Sequence, residues 1–290
     1  MNIVFFGTED FSSQALKVLI ESGLCPVLVI TKPDSKKGRG QKVTEPAVKS
    51  LARQYDIPVL QPVKLSEIHD DVTSIDKPVG VLVSFGKIIP QQTIDLFTPG
   101  IINLHPSLLP KWRGPSPIES AIASGDTETG VSIMQLVKAM DAGPVYVQKK
   151  VALQGEETQP ALYEKLGAIG SDLLVEYLPG IVDGTHAPVE QDEAEATYSH
   201  LLQKSDSLLD PTTVSATEAN RQVRAHLDFP KTKLTVDGST VIIKKSHVTR
   251  TKASVLDIEF QDGAYLAIDE LIAPSGKTMD QASFLRGHNV

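Results

Sequence analysis

Three side chains suited to moving an acyl group lie at turns just beyond predicted strands. Asn103 and His105 end an apolar, β-type run, and Asp141 follows thirty-six residues after His105, in the sequence Asp-Ala-Gly-Pro. An amide and an imidazole can donate hydrogen bonds to an oxyanion, and an imidazole or a carboxylate can move protons. The combination predicts an enzyme that catalyses acyl transfer.

Each of these features also has a purely structural explanation. An Asn-x-His after a strand is often a turn asparagine beside a hydrogen-bonded histidine, and Asp-Ala-Gly-Pro is a common turn sequence. The spacing alone does not bring Asp141 near His105. Loops at the carboxyl ends of neighbouring strands in an α/β sheet share one crevice, however, and this rule allows the two residues to meet.

The elements that must position these groups follow the pattern of a parallel α/β sheet. Residues 2–6 are β-type, residues 11–21 place apolar side chains at helical spacing, and residues 27–30 form a second strand. Apolar runs at 79–83 and 101–104 extend the pattern, as in a sheet covered on both faces. We therefore predict an α/β fold, a Rossmann-like domain with a mostly parallel sheet.

Composition and short motifs indicate where the protein is found in the cell and which cofactors it is expected to lack. The 290 residues, 41% of them hydrophobic, suffice for one large domain and a smaller one. No apolar run approaches the roughly 18 residues of a membrane span, and the N-terminus lacks a secretory pattern, so we expect a cytoplasmic chain. Residues 7–10 lack the glycines of a dinucleotide fingerprint. The single cysteine, Cys25, is expected to be a small core residue, and no metal site is predicted.

The last third of the chain has a different pattern. A helical segment at 217–226 is followed by short strands around 234, 241–244, 255–260 and 265–272. Asp-Gly pairs at 237–238 and 262–263 predict tight turns between strands. We predict an OB-like β-barrel and place a catalytic domain at 1–190, a linker at 191–208 and the barrel domain at 209–290.

Charge points to a specific partner. The formal net charge of −8 argues against general nucleic-acid binding, because that mode depends on neutralising phosphates. Basic residues are nevertheless concentrated at 32–42 and 231–252, whereas 156–195 is rich in acid. Local basic patches on an acidic chain indicate one defined polyanionic partner.

Four blocks of sequence have the order and spacing of one known family. They are Met-Asn-Ile-Val-Phe-Phe-Gly-Thr at 1–8, Asn-Leu-His-Pro-Ser-Leu-Leu-Pro-Lys-Trp-Arg-Gly at 103–114, Gly-Val-Ser-Ile-Met-Gln at 130–135 with Asp-Ala-Gly-Pro at 141–144, and Ser-Gly-Lys with Phe-Leu-Arg-Gly-His near the C-terminus. With these blocks the chain resembles methionyl-tRNA formyltransferases over essentially its full length.

The resemblance implies transfer of a formyl group from 10-formyltetrahydrofolate to the α-amino group of methionyl initiator tRNA, a step of translation initiation that draws on one-carbon metabolism. Asn103 and His105 would stabilise the oxyanion as hydrogen-bond donors, each typically worth about 3 kcal/mol of barrier. Asp141 would orient His105, favour its protonated form and accept the amine proton directly or through water. Protonated His105 would then assist departure of the folate nitrogen.

The same resemblance implies where the folate donor binds. The side chains expected around it are Ser107, Leu108, Leu109 and Pro110, with Phe85, Gly86 and Ile88 from the loop at 84–90 beside the pterin. Ser107 carries a hydroxyl, but no neighbouring pattern activates it as a nucleophile. Trp112 and Arg113 could stack on or clasp a substrate, or Trp112 could pack beneath the folate loop.

A basic, glycine-containing segment corresponds to the family's insertion into the tRNA acceptor arm. The residues expected to contact tRNA are Lys36, Lys37, Arg39 and Lys42. A solvated surface loop is the alternative for such a charge run. Two other segments depart from the family pattern, 199–211 and 227–230, where Leu-Asp-Phe-Pro replaces an Asn-Pro-Trp-Pro type stretch. These departures put in question how the second domain docks and grips tRNA.

Several other functions stay open on the sequence. A sugar-nucleotide N-formyltransferase would use the same donor and the same three residues on an amino sugar, although the basic segment and the Phe-Leu-Arg-Gly-His ending favour tRNA. A glycinamide-ribonucleotide formyltransferase would leave the C-terminal third without a role. A non-catalytic RNA-binding protein and a hydrolase of formyl-folate are further alternatives. We expect a monomer with no membrane partner.

Overall fold

The computed structural model describes residues 1–37, 40, 42–236 and 238–287. These residues form two compact units that are interleaved along the chain. The first consists of Met1–Pro115, Thr129–Val151 and Tyr163–Tyr198, and the second of Ser116–Glu128, Ala152–Leu162 and the described residues from Ser199 onward. The predicted domains are contiguous in sequence, and their boundaries as functional units stay a prediction.

The secondary structure follows the predicted sequence of elements. In chain order the strands and helices are β1 (Asn2–Gly7), α1 (Asp10–Glu21), β2 (Leu28–Ile30), β3 (Ser35–Lys37), β4 (Lys42–Thr44), α2 (Ala47–Gln54), β5 (Val59–Leu60), α3 (His69–Thr73), β6 (Pro78–Val83), α4 (Gln91–Ile94), β7 (Ile101–His105), α5 (Pro117–Ser124), β8 (Glu128–Gln135), β9 (Val145–Ala152), α6 (Gln159–Val182), α7 (Ala216–Ala225), β10 (Lys233–Val236), β11 (Ser239–Thr249), β12 (Ile258–Glu259), β13 (Tyr265–Ile272), β14 (Thr278–Asp280) and α8 (Gln281–Gly287). Short 3₁₀ turns lie at Leu65–Ile68, Glu193–Glu195 and Lys204–Ser207.

The first unit is organised around a seven-stranded sheet in the order β5-β2-β1-β6-β7-β8-β9. Strands β5, β2, β1, β6 and β7 pair in parallel, and β7 pairs with β8 in the antiparallel direction. The inner strand β1 is apolar and fully buried from Ile3 to Phe6, which is expected for a parallel strand covered on both faces. This confirms the predicted Rossmann-like, mostly parallel sheet.

The second unit contains a five-stranded antiparallel sheet. Its order is β10-β11-β13-β12, with β14 added beside β13 and every pair antiparallel. Gly263 has a φ of 69°, a left-handed conformation that allows the tight turn between β12 and β13. Ser215 caps α7 by accepting the Glu218 backbone N–H, and the helix buries Ala216, Ala219 and Val223 in the core of this unit. The predicted OB-like arrangement is confirmed.

One detail differs from the sequence interpretation. Cys25 is exposed rather than part of the core, because it lies in the connection before β2, whose buried run starts only at Leu28. Residues 191–198 belong to the first unit, and the linker at 191–208 stays a prediction. Among the described helices none is long and apolar enough to cross a membrane. The described residues also hold no group of three or more metal-ligating side chains.

The buried His226 should make the stability of the second unit depend on pH. The imidazole is 7% exposed, and its Nδ1 has no hydrogen-bond partner among the described residues. Burial lowers the pKa of His226 because it penalises the charged ring, and the nearby Asp206 offsets this only in part. Folded His226 therefore resists protonation while the unfolded residue takes up a proton near its ordinary pKa of about 6.5. Stability should be fully present above that pH and decline as the pH falls below it.

Replacing His226 by glutamine should weaken this loss of stability. We expect the difference in thermal unfolding midpoint between pH 8 and about pH 5.5 to shrink in His226→Gln relative to the wild type. His247→Gln is the matched control, because His247 is an exposed histidine of the same unit, paired with Asp269. If the unfolding midpoint of His226→Gln fell as much as that of the wild type between pH 8 and about pH 5.5, His226 would not be the cause of the loss of stability.

Candidate active site

Asn103 and His105 lie on one face of the central strand β7. They are two residues apart, so their side chains point to the same side of the sheet, and each is 5% exposed. The strand is held on both edges, since Asn103 pairs with Leu82 of β6 and Met134 of β8. The Asn103 amide has no hydrogen-bond partner among the described residues. Its donors are therefore free for a substrate.

The His105 ring is oriented by a backbone carbonyl. Nε2 lies 3.0 Å from the carbonyl oxygen of Trp112. Because a carbonyl only accepts, Nε2 carries a proton and donates it there. Nδ1 faces Asp141 Oδ2 at 3.8 Å, which is too long for a hydrogen bond. The carboxylate thus faces the ring without a hydrogen bond, while the Trp112 carbonyl fixes the direction of the ring and leaves Nδ1 as the ring atom available for chemistry.

Asp141 lies in a tight turn after β8, closed by the Ala142 N–H donating to the Ala139 carbonyl. Its φ of 48° is in the left-handed region, which aspartate tolerates better than most residues. The carboxylate is 15% exposed, and Oδ2 accepts the backbone N–H of Gly114 at 2.8 Å. Oδ1 has no hydrogen-bond partner among the described residues. One oxygen is therefore anchored and the other is free to accept a proton.

Gly143 lets this turn lie against the end of β8. A Cβ at Gly143 would lie 1.9 Å from the backbone oxygen of Gln135, so a larger residue would displace the turn. The structure therefore brings Asp141 beside His105, which the spacing in sequence had left undecided. The chemical roles of Asn103, His105 and Asp141 stay a prediction at this point.

Comparison with known proteins identifies the family. A model of the formyl transferase family matches residues 1–178. The methionyl-tRNA formyltransferase of Myxococcus xanthus is 36% identical over 301 aligned positions, which cover 99% of this chain and 95% of that protein. The chain belongs to the methionyl-tRNA formyltransferase family. The corresponding protein of Coxiella burnetii is 38% identical over 93% of this chain and 85% of its own length.

Solved structures agree with this fold. An N-formyltransferase from Helicobacter canadensis, solved with folinic acid and dTDP-3-aminofucose, superimposes with a TM-score of 0.67. The alignment covers 92% of this chain and 99% of that one at 17% identity. This similarity shows a shared fold and carries no statement about the acceptor. The prediction of a formyltransferase enzyme is confirmed by the family membership.

In this formyltransferase the segment expected to line the folate site is a loop pinned by hydrogen bonds. The Ser107 hydroxyl is fully buried and donates to the Lys111 carbonyl at 2.6 Å. Leu109 donates its N–H to the Ser132 hydroxyl at 3.1 Å, and its carbonyl accepts from the Gln148 amide at 2.8 Å. The Ser107 hydroxyl is thus committed to the loop itself. Leu108 and Pro110 are the partly exposed members of this segment.

The second loop expected at the folate site presents little side chain to a ligand. Phe85 is 1% exposed and packs edge-to-face on Phe6, with ring centroids 5.5 Å apart. Gly86 has a φ of 67° and lies against Lys32, whose Nζ would be 2.3 Å from a Cβ at that position. Ile88 is 84% exposed. Of the three predicted residues, Ile88 alone offers an apolar side chain to the outside, while Phe85 supports the loop from the core.

The basic segment of this family member forms the arms of a β-hairpin. Strands β3 and β4 pair antiparallel, with Lys36 opposite Val43 and the backbone of Lys37 opposite Lys42. Lys36 and Lys42 are exposed, and Arg39 lies outside the described residues. A cavity of about 310 Å³ adjoins the hairpin within the first unit; its lining includes Thr8, Lys32, Ser35, Thr44 and Lys87.

Arg113 is committed to the protein and is not free to clasp a substrate. Its side chain is 1% exposed, and its guanidinium donates to Gln191 Oε1 and to both carboxylate oxygens of Glu193. The hydrogen bond to Glu193 raises the pKa of Arg113, and the same bond lowers the pKa of Glu193. Sequence reasoning missed Gln191 and Glu193 because the acidic stretch around them resembles a solvated linker.

Proposed function

We propose that this enzyme transfers the formyl group of 10-formyltetrahydrofolate to the α-amino group of methionyl initiator tRNA, in the cytoplasm. The observation that carries the proposal is the arrangement of three side chains. Asn103 and His105 are buried at the end of β7, and His105 Nδ1 lies 3.8 Å from Asp141 Oδ2. Relatives at 36% and 38% identity are named methionyl-tRNA formyltransferases, which supports tRNA as the acceptor.

The first step is attack of the amine on the formyl carbon. An α-amino group has a pKa of about 8, so a useful fraction is neutral near pH 7. The new C–N bond places negative charge on the formyl oxygen, and Asn103 donates a hydrogen bond to it from its unengaged amide. His105 in its protonated form donates from Nδ1, because Nε2 is held by the Trp112 carbonyl. Asp141 stabilises this imidazolium by its charge.

Proton movements then balance the exchange. Oδ1 of Asp141 accepts the proton that the attacking amine loses. His105 delivers its Nδ1 proton to the folate nitrogen as the old C–N bond breaks, so tetrahydrofolate leaves neutral. Asp141 returns its proton to His105 and restores the starting state. The proposed steps use side chains alone and require no metal ion.

The binding residues are assigned by the same proposal. Residues 107–110 form one wall of the folate site, with Phe85 beneath it and Gly86 and Ile88 on the flanking loop. Lys36, Lys37, Arg39 and Lys42 contact tRNA phosphates. The pairing of β3 with β4 supports this assignment, because it holds the backbone of Lys37 opposite that of Lys42 and keeps the exposed Lys36 and Lys42 on neighbouring strands. Phosphate contacts of this kind give affinity without sequence reading.

The decisive experiment is formyl transfer from 10-formyltetrahydrofolate to methionyl initiator tRNA, with His105→Ala as the inactive control. Transfer by the wild type and its loss in His105→Ala would support the proposal. Transfer to an amino sugar nucleotide without transfer to methionyl-tRNA would replace it by the sugar-nucleotide alternative. Formate release that needs no amine would show a hydrolase instead.

Removing cations from the basic segment at 36–42 should weaken tRNA use specifically. We expect the Lys36/Lys37/Arg39 triple alanine variant to raise KM for tRNA by about tenfold or more, with a weaker dependence on salt, because fewer counterions are released on binding. KM for the folate donor should stay near the wild-type value. A Lys17/Lys77/Lys165 triple alanine variant removes the same charge from exposed positions elsewhere. Equal effects of the two variants would show that net charge, and not the hairpin, attracts tRNA.

A further inference from the structure

Gln191, in the segment that the sequence suggested to be a linker, bridges two backbone carbonyls of the loop that carries Asp141. Its Nε2 donates to the carbonyl oxygen of Asp141 at 2.8 Å and to that of Gly143 at 2.7 Å. Both protons of the amide are used in this way. We propose that Gln191 is a positioning residue that holds Asp141 in place for the transfer reaction.

Arg113 determines which way the Gln191 amide points. Oε1 of Gln191 accepts from Arg113 Nε at 3.1 Å and from Nη2 at 2.9 Å. A flipped amide would place its NH₂ group against guanidinium donors and its oxygen against two carbonyls, so the observed orientation is the one that satisfies every group. Glu193, 2.7 Å from Arg113, supplies the countercharge that the buried guanidinium needs. We call this set of three residues the clamp: Arg113, Gln191 and Glu193.

The clamp is connected to both charged groups of the site. The residue after Arg113, Gly114, donates its N–H to Asp141 Oδ2 at 2.8 Å. The residue before it, Trp112, accepts the hydrogen bond from His105 Nε2. The loop that carries Arg113 therefore orients the imidazole and the carboxylate, and Gln191 joins that loop to the main chain of the Asp141 turn.

The backbone of Asp141 shows why such support is needed. A non-glycine residue keeps a left-handed conformation, here a φ of 48°, where the surrounding structure holds it. Without the Gln191 donors the two turn carbonyls would lose their shared partner. Asp141 would then be free to move relative to His105, and a displacement of about 1 Å in a catalytic group can cost roughly 100-fold in rate. The inference rests on the proposed function for its kinetic consequence, but the clamp itself is a property of the fold.

Gln191→Glu separates the donor role from the shape of the side chain. Glutamate has the same length and keeps an acceptor for Arg113, but it has no N–H for the two carbonyls. We expect kcat to fall by about 10- to 100-fold, with KM for folate and tRNA changed less than about twofold, because substrate contacts are untouched. Gln191→Met, which also lacks both donors, should show the same split if the glutamate variant folds poorly. Glu190→Gln, an exposed neighbour, should be indistinguishable from the wild type.

A double-mutant cycle distinguishes positioning from general destabilisation. If Gln191 acts through Asp141, then Gln191→Glu should lower kcat by less than about twofold when Asp141 is already asparagine. Independent, multiplying effects of the two substitutions would overturn the inference.

Amide hydrogen exchange tests the clamp without any substrate. The segment at 139–145 should exchange faster in Gln191→Glu than in Glu190→Gln, because its turn carbonyls lose their partner. Unchanged exchange would overturn the clamp whatever the enzyme's substrate. Faster exchange together with no formyl transfer by the wild type would overturn the proposed function and support the clamp.

Discussion

Replacing Asp141 by asparagine should lower kcat for formyl transfer by about 10²- to 10⁴-fold, the range for loss of a proton-transfer group. Asparagine is nearly isosteric, and its amide oxygen can keep the hydrogen bond from Gly114 that now lies at 2.8 Å. The turn should therefore stay in place. The variant nonetheless has no oxygen that can accept the amine proton, and no negative charge that stabilises protonated His105. Single-turnover transfer with saturating enzyme measures the chemical step directly.

Two controls separate this effect from a change of fold or charge. Asp95→Asn removes a carboxylate from an exposed helix end, where it accepts from Gln91, and should leave kcat unchanged. KM for the folate donor should change little in Asp141→Asn, since the residue acts mainly in the transition state. A variant that kept more than about half of the wild-type kcat would show that the proton leaves by another route, with His105 Nδ1 as the nearest alternative acceptor.

The parts of the fold that the sequence predicted well are those where one physical signal dominates. β1 and β7 are short apolar runs, and such runs are expected for strands that are covered on both faces of a parallel sheet. The placement of Asn103 and His105 on β7 followed directly from this. The position of Asp141 was harder to predict, because it follows His105 by thirty-six residues in the sequence. The rule that loops at the carboxyl ends of parallel strands share a crevice allowed the contact but does not explain it. β7 and β8 are antiparallel, so the carboxyl end of β8 lies beside the start of β7, and the loop after β8 must turn back for Asp141 to reach His105.

The clamp could not be predicted because nothing local marks it. Residues 190–199 are polar and acidic, and such composition is typical of a solvated connection. Gln191 reaches Asp141 across fifty positions in the chain, and its importance depends on which carbonyls happen to lie beside it. Arg113 was considered as a residue that could stack on or clasp a substrate, and arginine side chains are rarely buried. The paired carboxylate of Glu193 supplies the countercharge for its buried guanidinium.

The loop at 84–90 shows the same limit for an apolar residue. Phe85 was expected at the folate site from the resemblance to methionyl-tRNA formyltransferases. In the structure its ring completes a cluster with Phe6 and Phe97, because its backbone passes directly over the end of β1, where Thr8 donates to the Phe85 carbonyl at 3.0 Å. A loop residue can therefore be a core residue, and sequence periodicity does not reveal this in a segment too short to have a period.

Replacing Asn103 by alanine should lower kcat by about 10²- to 10³-fold, the effect of losing one donor to an oxyanion. The Asn103 amide has no hydrogen-bond partner among the described residues. Its removal therefore breaks no internal hydrogen bond, and the loss of stability should be limited to packing, about 1 kcal/mol in the free energy of unfolding. Binding of the folate donor should be nearly unchanged, because the ground-state formyl oxygen carries much less charge than the oxyanion.

Thr129→Ala is the matched control for a cavity in this sheet. Thr129 lies on the neighbouring strand β8, is 3% exposed and has a hydroxyl without a partner among the described residues. Thr129→Ala should lose about as much packing energy as Asn103→Ala, and its kcat should be unchanged. Asn103→Asp is the complementary test, because a carboxylate of the same size would repel the developing oxyanion and should reduce kcat below that of Asn103→Ala. If the alanine variants at 103 and 129 had equal kcat, Asn103 would be a structural residue of β7, and oxyanion stabilisation would rest on His105 alone.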